Sequence, residues 1–127
     1  KENYEEYFQM GKASIHKNNI MHESESFEIM TKKLDNFDFS NRISFIKIDV
    51  EGHEAEVIKG SENTIKKNKP ILLVEIEEKY TKKEVGITIN YINSLGYNSY
   101  FLKENNLVKT QDLKNLNSFN NFIFKPK

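Results

Sequence analysis

The stretch ISFIKIDVEGHEAEVIKG, residues 43–60, decides the fold class that the sequence predicts. Apolar and β-branched residues in SFIKIDV (44–50) are typical of a short strand that is buried for most of its length. After Gly52 the spacing of the apolar residues becomes helical, and Gly60 stands where that helix should end. A strand that leads directly into a helix is the first part of a βαβ unit.

Two more helices are predicted beyond this stretch. Ser61 is a suitable N-cap for a second helical piece, SENTIKKNK. TKKE (81–84) has the form of a capping box, and Gly96 stops the helix that follows it. That helix carries an apolar stripe at helical spacing, formed by Val85, Ile89 and Ile92.

Strand patterns alternate with these helices along the chain. PILLVEIE (70–77), YNSYFLK (97–103) and FNNFIFKPK (119–127) are apolar and short, whereas the segment between the last two is a polar excursion. SFEIMT (26–31) also alternates and predicts a half-buried strand. Alternation of strands and helices indicates an α/β fold with a parallel sheet. We expect the last strand to be antiparallel, at an edge or inserted, because no helical crossover precedes it.

Length, charge and composition exclude several classes of protein. The 127 residues suit one domain, and 37% apolar content is enough for a core. The 19 basic and 19 acidic residues cancel, so no overall field favours nucleic acid or anionic membranes as partners. The chain has no cysteine, no apolar run that could span a membrane and no visible signal peptide, which predicts a cytoplasmic protein.

Ionisable residues gather where the first two strands of this pattern end. Asp49, Glu51 and His53 follow the first strand, and Glu75 and Glu77 end the next. In open α/β sheets, ligands bind outside the carboxyl ends of the strands. A carboxylate there can position a substrate hydroxyl, hold a metal or act as a base, and an imidazole can accept a proton near neutral pH.

A simpler interpretation of the same residues needs no catalysis. Glu51 and Glu54 can be acids that favour the first turn of a helix, with Gly52 easing the turn before it. Asp49 argues against this interpretation, because it lies within the strand pattern, where aspartate is disfavoured.

Four segments resemble the C-terminal half of the FkbM family of S-adenosylmethionine-dependent methyltransferases. TKKLDNF (31–37) is similar to the family's T-x-x-L-D-x-F segment, and FIKIDVEGHE (45–54) to its F-I-K-I-D-V-E-G-x-E strand end. EVIKG (56–60) and PILLVE (70–75) are similar to the helix and the strand that come next. The resemblance covers residues 27 to 77 well, and the later order of elements fits the family's tail.

This resemblance implies a Rossmann-like methyltransferase sheet with strand order 3-2-1-4-5-7-6 and an antiparallel seventh strand. The four strands from residue 44 onward would be strands 4-5-7-6 of that sheet, with flanking helices. Residues 1–26 are weakly patterned and show no glycine-rich cofactor motif. Residues 1–127 are therefore expected to form the C-terminal portion of a single truncated methyltransferase domain. The residues that bind the cofactor, S-adenosylmethionine, are expected mainly in the missing N-terminal half.

The resemblance also implies roles for the acidic residues. The family usually methylates a hydroxyl oxygen on a sugar, polyketide or similar small metabolite. Asp49 is the first choice for contacting the acceptor or the reactive end of the cofactor, and Glu51 or His53 for the base or its orienting partner. No residue is assigned to a metal. The residues expected to bind the substrate are Glu54, Glu75 and Asp35. A structural role stays open for Asp35, as a cap of the segment after TKKL.

Two other functions stay open at this stage. Carboxylates spaced two apart after a strand can hold Mg²⁺ or Mn²⁺ beside a diphosphate, as in a nucleotide-sugar glycosyltransferase. A half-domain can also serve only as an interaction module. Such a module would self-associate through the sheet edge that the first strand of a complete sheet would cover.

Overall fold

The computed structural model describes residues 29–77, 85–112 and 116–127. Its helices are a 3₁₀ turn over Leu34–Asn36, α1 (Glu54–Lys59), α2 (Glu62–Asn68), α3 (Val85–Ser94) and two later 3₁₀ turns, Thr110–Asp112 and Leu116–Ser118. Its strands are β1 (Phe45–Ile48), β2 (Ile71–Glu75), β3 (Tyr97–Lys103), β4 (Asn106–Lys109) and β5 (Asn121–Pro126).

The strands form one open sheet of mixed direction in the order β1-β2-β5-β3-β4. β1 and β2 are parallel, as the helical crossover between them requires. β5 is inserted between β2 and β3 and runs antiparallel to both, which confirms the predicted direction of the last strand. The mixed α/β class is thus confirmed. The Rossmann-like assignment also involves strands that the resemblance places before β1, so it stays a prediction.

One face of the sheet carries the hydrophobic core. Buried and less buried residues alternate along β2, along β5 up to Phe124 and along β3 up to Phe101. The helices contribute their apolar faces to the same cluster, including the predicted stripe of α3. The buried core consists of Ile48, Ile58, Ile65, Leu72, Val74, Ile76, Val85, Ile89, Ile92, Tyr97, Phe101, Phe122 and Phe124.

The N-terminus of α2 is capped in a way that the sequence did not predict. Ser61 occupies the N-cap position, but its hydroxyl donates to the Val57 carbonyl at 2.7 Å, in the preceding helix. Asp35 takes over the capping role. Its carboxylate accepts the backbone N–H groups of Thr64 at 2.8 Å and Asn63 at 3.1 Å. A residue in a distant turn therefore satisfies donors that a helix leaves free at its start.

β1 is shorter and more exposed than predicted. Only Ile48 is buried in this strand, and the side chain of Phe45 is 54% exposed. β1 is more exposed because it is an edge strand in the described part of the sheet. Asp49 consequently lies just past the strand and not within it.

Two other predictions about strands were wrong where the structure describes them. Residues 29–31 form no strand, and Ile29 is 66% exposed, because no described strand pairs with them. The polar excursion contains β4, which pairs with β3 in a hairpin. Its turn residues Glu104 and Asn105 have φ of 48° and 65°, the left-handed pair that a tight two-residue hairpin needs. The predicted capping box at 81–84 and residues 26–28 lie outside the described residues.

We expect Asp35→Ala to lower the free energy of unfolding by about 1 kcal/mol, because α2 loses its cap. Burial opposes ionisation of Asp35, but the hydrogen bonds from Thr64 and Asn63 and the charge of Lys33 outweigh it and lower its pKa from 3.8. A carboxyl with a lowered pKa stabilises the fold above its unfolded pKa and loses this effect as pH falls through the folded value.

Urea denaturation of the chain and the variant at pH 7 and at pH 2 measures this contribution. The difference between them should shrink at the lower pH. Asp38→Ala, at an exposed position in the same loop, is the matched control and should change little. An equal loss for both variants would show that Asp35 does not act as a cap.

Candidate functional site

A sharp turn after β1 presents the acidic residues at the edge of the sheet. Glu51 and Gly52 both have left-handed backbone conformations, with φ of 46° and 105°. Glycine adopts this conformation freely, but glutamate does so at a cost. The Gly52 N–H donates to Oε1 of Glu54 at 2.9 Å, which holds the turn against the start of α1. The turn is thus fixed from within by one of the acids that it presents.

The parallel pairing of β1 with β2 brings two strand ends together. Ile48 pairs with Val74, so the residues that follow them, Asp49 and Glu75, come at the same level of the sheet. A small cleft of about 60 Å³ opens there. It is lined by Asp49, Glu51, Glu54, Glu75 and Glu77. The predicted meeting of acids from two strand ends is therefore present in the structure.

Lys47 supplies a positive charge at this cleft. Its ammonium group lies 2.6 Å from Oδ2 of Asp49, in an exposed ion pair. The hydrogen bond with Asp49, the charge of Asp49 and the charge of Glu75 raise the pKa of Lys47. The sequence contained a signal for this contact, because residues two apart in extended chain point to the same face. The sequence analysis assigned Lys47 no role.

Glu75 has a perturbed pKa. Partial burial raises it first, and the charges of Asp49 and Glu77 and a hydrogen bond with Asp49 raise it further, while Lys47 partly offsets them. Carboxylates that crowd one site cannot all ionise as readily as they would alone. A carboxyl group with a raised pKa in a cleft is a candidate for proton transfer.

Glu54 and Glu77 also line the cleft, and they differ in their hydrogen bonds. Glu54 is only 2% exposed, although glutamate is rarely buried without a partner. Its Oε2 has no hydrogen-bond partner among the described residues. Oε1 of Glu77 accepts the side-chain amide of Asn120 at 2.6 Å, just before β5 begins.

The structure separates the predicted site residues into two groups. Four of them line the cleft: Asp49, Glu51, Glu54 and Glu75. His53 is half-buried and occupies the N-cap position of α1, but it is not among the lining residues. Asp35 caps α2 instead of lining the cleft. Glu77 belongs to the cleft, although the sequence analysis gave it no role. The chemical roles of all these residues stay predictions.

Two geometrical findings concern the described residues. No three His, Cys, Asp or Glu side chains among them converge in a group that could hold a metal ion. In the same part of the chain, none of the helices combines the length and apolar character needed to cross a bilayer.

We expect the pKa of Glu75, measured by NMR titration of the labelled side-chain carboxyl, to lie above its ordinary 4.5. Asp49→Asn should move it back toward 4.5, because a neighbouring negative charge is removed; burial should keep part of the shift. Glu56→Gln, at an exposed position of α1 outside the cleft, is the control and should leave the titration of Glu75 unchanged. An unperturbed Glu75 in the unmodified chain would contradict the electrostatic description of the cleft.

Comparison with known proteins assigns the family. The model of the methyltransferase FkbM domain matches residues 1–99, which is most of the 127-residue chain. Neither the comparison with curated proteins nor that with solved structures gave a match. The matched range includes β1, β2 and every residue that lines the acidic cleft. The chain therefore belongs to the family of FkbM methyltransferase domains.

Proposed function

We propose that the chain takes part in S-adenosylmethionine-dependent methyl transfer to a hydroxyl oxygen of a sugar or another small metabolite in the cytoplasm. Family membership supports methyl transfer in general. The observation that carries the acceptor role is the meeting of Asp49 and Glu75 at one cleft, at the carboxyl ends of two parallel strands. This is the edge of the sheet where α/β proteins bind their ligands.

The chemistry of the reaction explains what these carboxyl groups would do. The methyl donor, when bound, supplies the methyl group. The acceptor oxygen must be aligned with it and must lose a proton. Asp49 is exposed at the mouth of the cleft and can accept a hydrogen bond from the acceptor hydroxyl. The raised pKa of Glu75 makes it a stronger base than an ordinary glutamate, and it lies beside Asp49.

The acidic cleft is too small for the whole cofactor. A cleft of about 60 Å³ holds a few water molecules or one small polar group, and a nucleoside is much larger. The mechanism proposed for this part of the chain is therefore limited to the acceptor side. Lys47 fits this limited role, because it holds Asp49 in place by a direct ion pair.

We expect Asp49→Asn, made in a protein that contains the whole methyltransferase domain, to lower kcat for methyl transfer by about 10²-fold, because the acceptor hydroxyl loses the carboxylate that positions it. Transfer of labelled methyl groups from S-adenosylmethionine to a panel of sugars and other hydroxyl compounds measures this loss. Stability should change little, because the ion pair with Lys47 is exposed to solvent. Urea denaturation of the same preparations checks this second expectation.

Asp38→Asn makes the same chemical change at an exposed position away from the cleft, and it should keep full activity. Full activity of Asp49→Asn would remove Asp49 from the mechanism. Absence of labelled product with every acceptor, from an unmodified protein that contains the whole methyltransferase domain, would count against methyl transfer to hydroxyl groups.

One observation favours the alternative of an interaction module. Phe45 and Ile71 are paired neighbours on the less covered face of the sheet, and they are 54% and 40% exposed. β1 also offers unpaired backbone groups as the edge strand of the described sheet. Under this alternative the chain self-associates through β1. Sedimentation at increasing concentration would then show a dimer that Phe45→Lys disrupts.

A further inference from the structure

We propose that the acidic cleft binds a protonated amino group of the acceptor, so that the substrate is an amino-bearing compound such as an amino sugar or an amino alcohol. This inference rests on the proposed methyl transfer and specifies its substrate class. It follows from three features of the cleft: its surplus of negative charge, an unpartnered buried carboxylate oxygen and its small size.

The charges in the cleft do not balance among the described residues. Four carboxyl groups besides that of Glu77 line it, and the ammonium group of Lys47 forms an ion pair with one of these four, Asp49. Lys47 is also half exposed, so solvent screens its effect on the deeper groups. A neutral acceptor such as a plain sugar would leave this surplus uncompensated. A cationic acceptor would be attracted by it.

Glu54 indicates where the cation would bind. Its carboxyl group is almost wholly removed from water, and only Oε1 has a partner, the Gly52 N–H. Oε2 has none among the described residues. A buried acceptor atom without a donor is costly, so such an atom at the wall of a cleft favours a ligand that brings one. An ammonium group brings three donors and a compensating charge.

The geometry favours an organic cation over a metal ion. Among the described residues no group of acids is placed to coordinate a metal. An ammonium group does not demand fixed ligand directions, because its N–H donors turn toward whichever oxygens surround it. The volume of about 60 Å³ accommodates one such group, and the acceptor hydroxyl would lie beside Asp49, the exposed member of the lining.

A matched pair of small probes tests this inference directly. Ethanolamine and ethylene glycol both carry a hydroxyl group, but only ethanolamine carries an ammonium group. We expect NMR titration of the labelled full chain to show ethanolamine bound on the order of tenfold more tightly than ethylene glycol, as a charge-assisted hydrogen bond implies. The amide signals that shift should include those of residues 51–54 and 75–77.

Variants separate binding in the cleft from general attraction to acidic surface. Glu54→Gln should weaken ethanolamine binding on the order of tenfold, whereas Glu56→Gln, exposed on the same helix and outside the cleft, should not. If Glu54→Gln fails to fold, Glu75→Gln, at the partly exposed end of β2, takes its place. Equal binding of the two probes, or equal losses for the Glu54 and Glu56 variants, would overturn the inference.

Competition identifies the source of the cation. Displacement of ethanolamine by S-adenosylmethionine, which has its own amino group, would overturn the acceptor assignment, and so would displacement by stoichiometric MgCl₂. Binding that both leave unchanged supports it. Ethanolamine binding that depends on Glu54, in a protein that contains the whole domain and yet shows no methyl transfer, would contradict the proposed function but support a cleft specific for amino groups.

Discussion

The parallel register of β1 and β2 is the constraint on which the rest of the site depends. The pairing of Ile48 with Val74 fixes the level at which both strands end, and therefore sets Asp49 beside Glu75. Both paired residues are buried in the core, so a slip of one residue would expose them to solvent. Hydrophobic packing on one face of the sheet thus fixes the distance between charged groups at its edge.

The inserted strand β5 completes both the core and the cleft. β5 lies between β2 and β3, and its residues Phe122 and Phe124 are fully buried in the core. Just before β5, the Asn120 carbonyl accepts the Ile76 N–H at 2.7 Å, and its side chain donates to Glu77. The last segment of the chain therefore positions an acid that precedes it by more than forty residues.

The cleft is locally unfavourable, and the surrounding fold stabilises it. Like charges raise the pKa of Glu75, Glu54 is buried with one oxygen unpartnered among the described residues, and Glu51 has a left-handed backbone. Such features persist only where the rest of the structure determines them, and they concentrate at functional sites. Here the core beneath the sheet and the hydrogen bond from Gly52 to Glu54 supply that support.

The sequence by itself determined the alternation of strands and helices, the helix ends at Gly60 and Gly96 and the gathering of acids after β1 and β2, because these depend on local spacing and on residues suited to turns. Only the tertiary structure decided which acids share the cleft. It placed Asp35 on α2 as a cap and His53 outside the lining, since both outcomes depend on contacts between distant segments. The exposure of β1 and the presence of β4 were also decided by the tertiary structure. The burial and pairing of a strand depend on the whole sheet and not on the sequence of that strand alone.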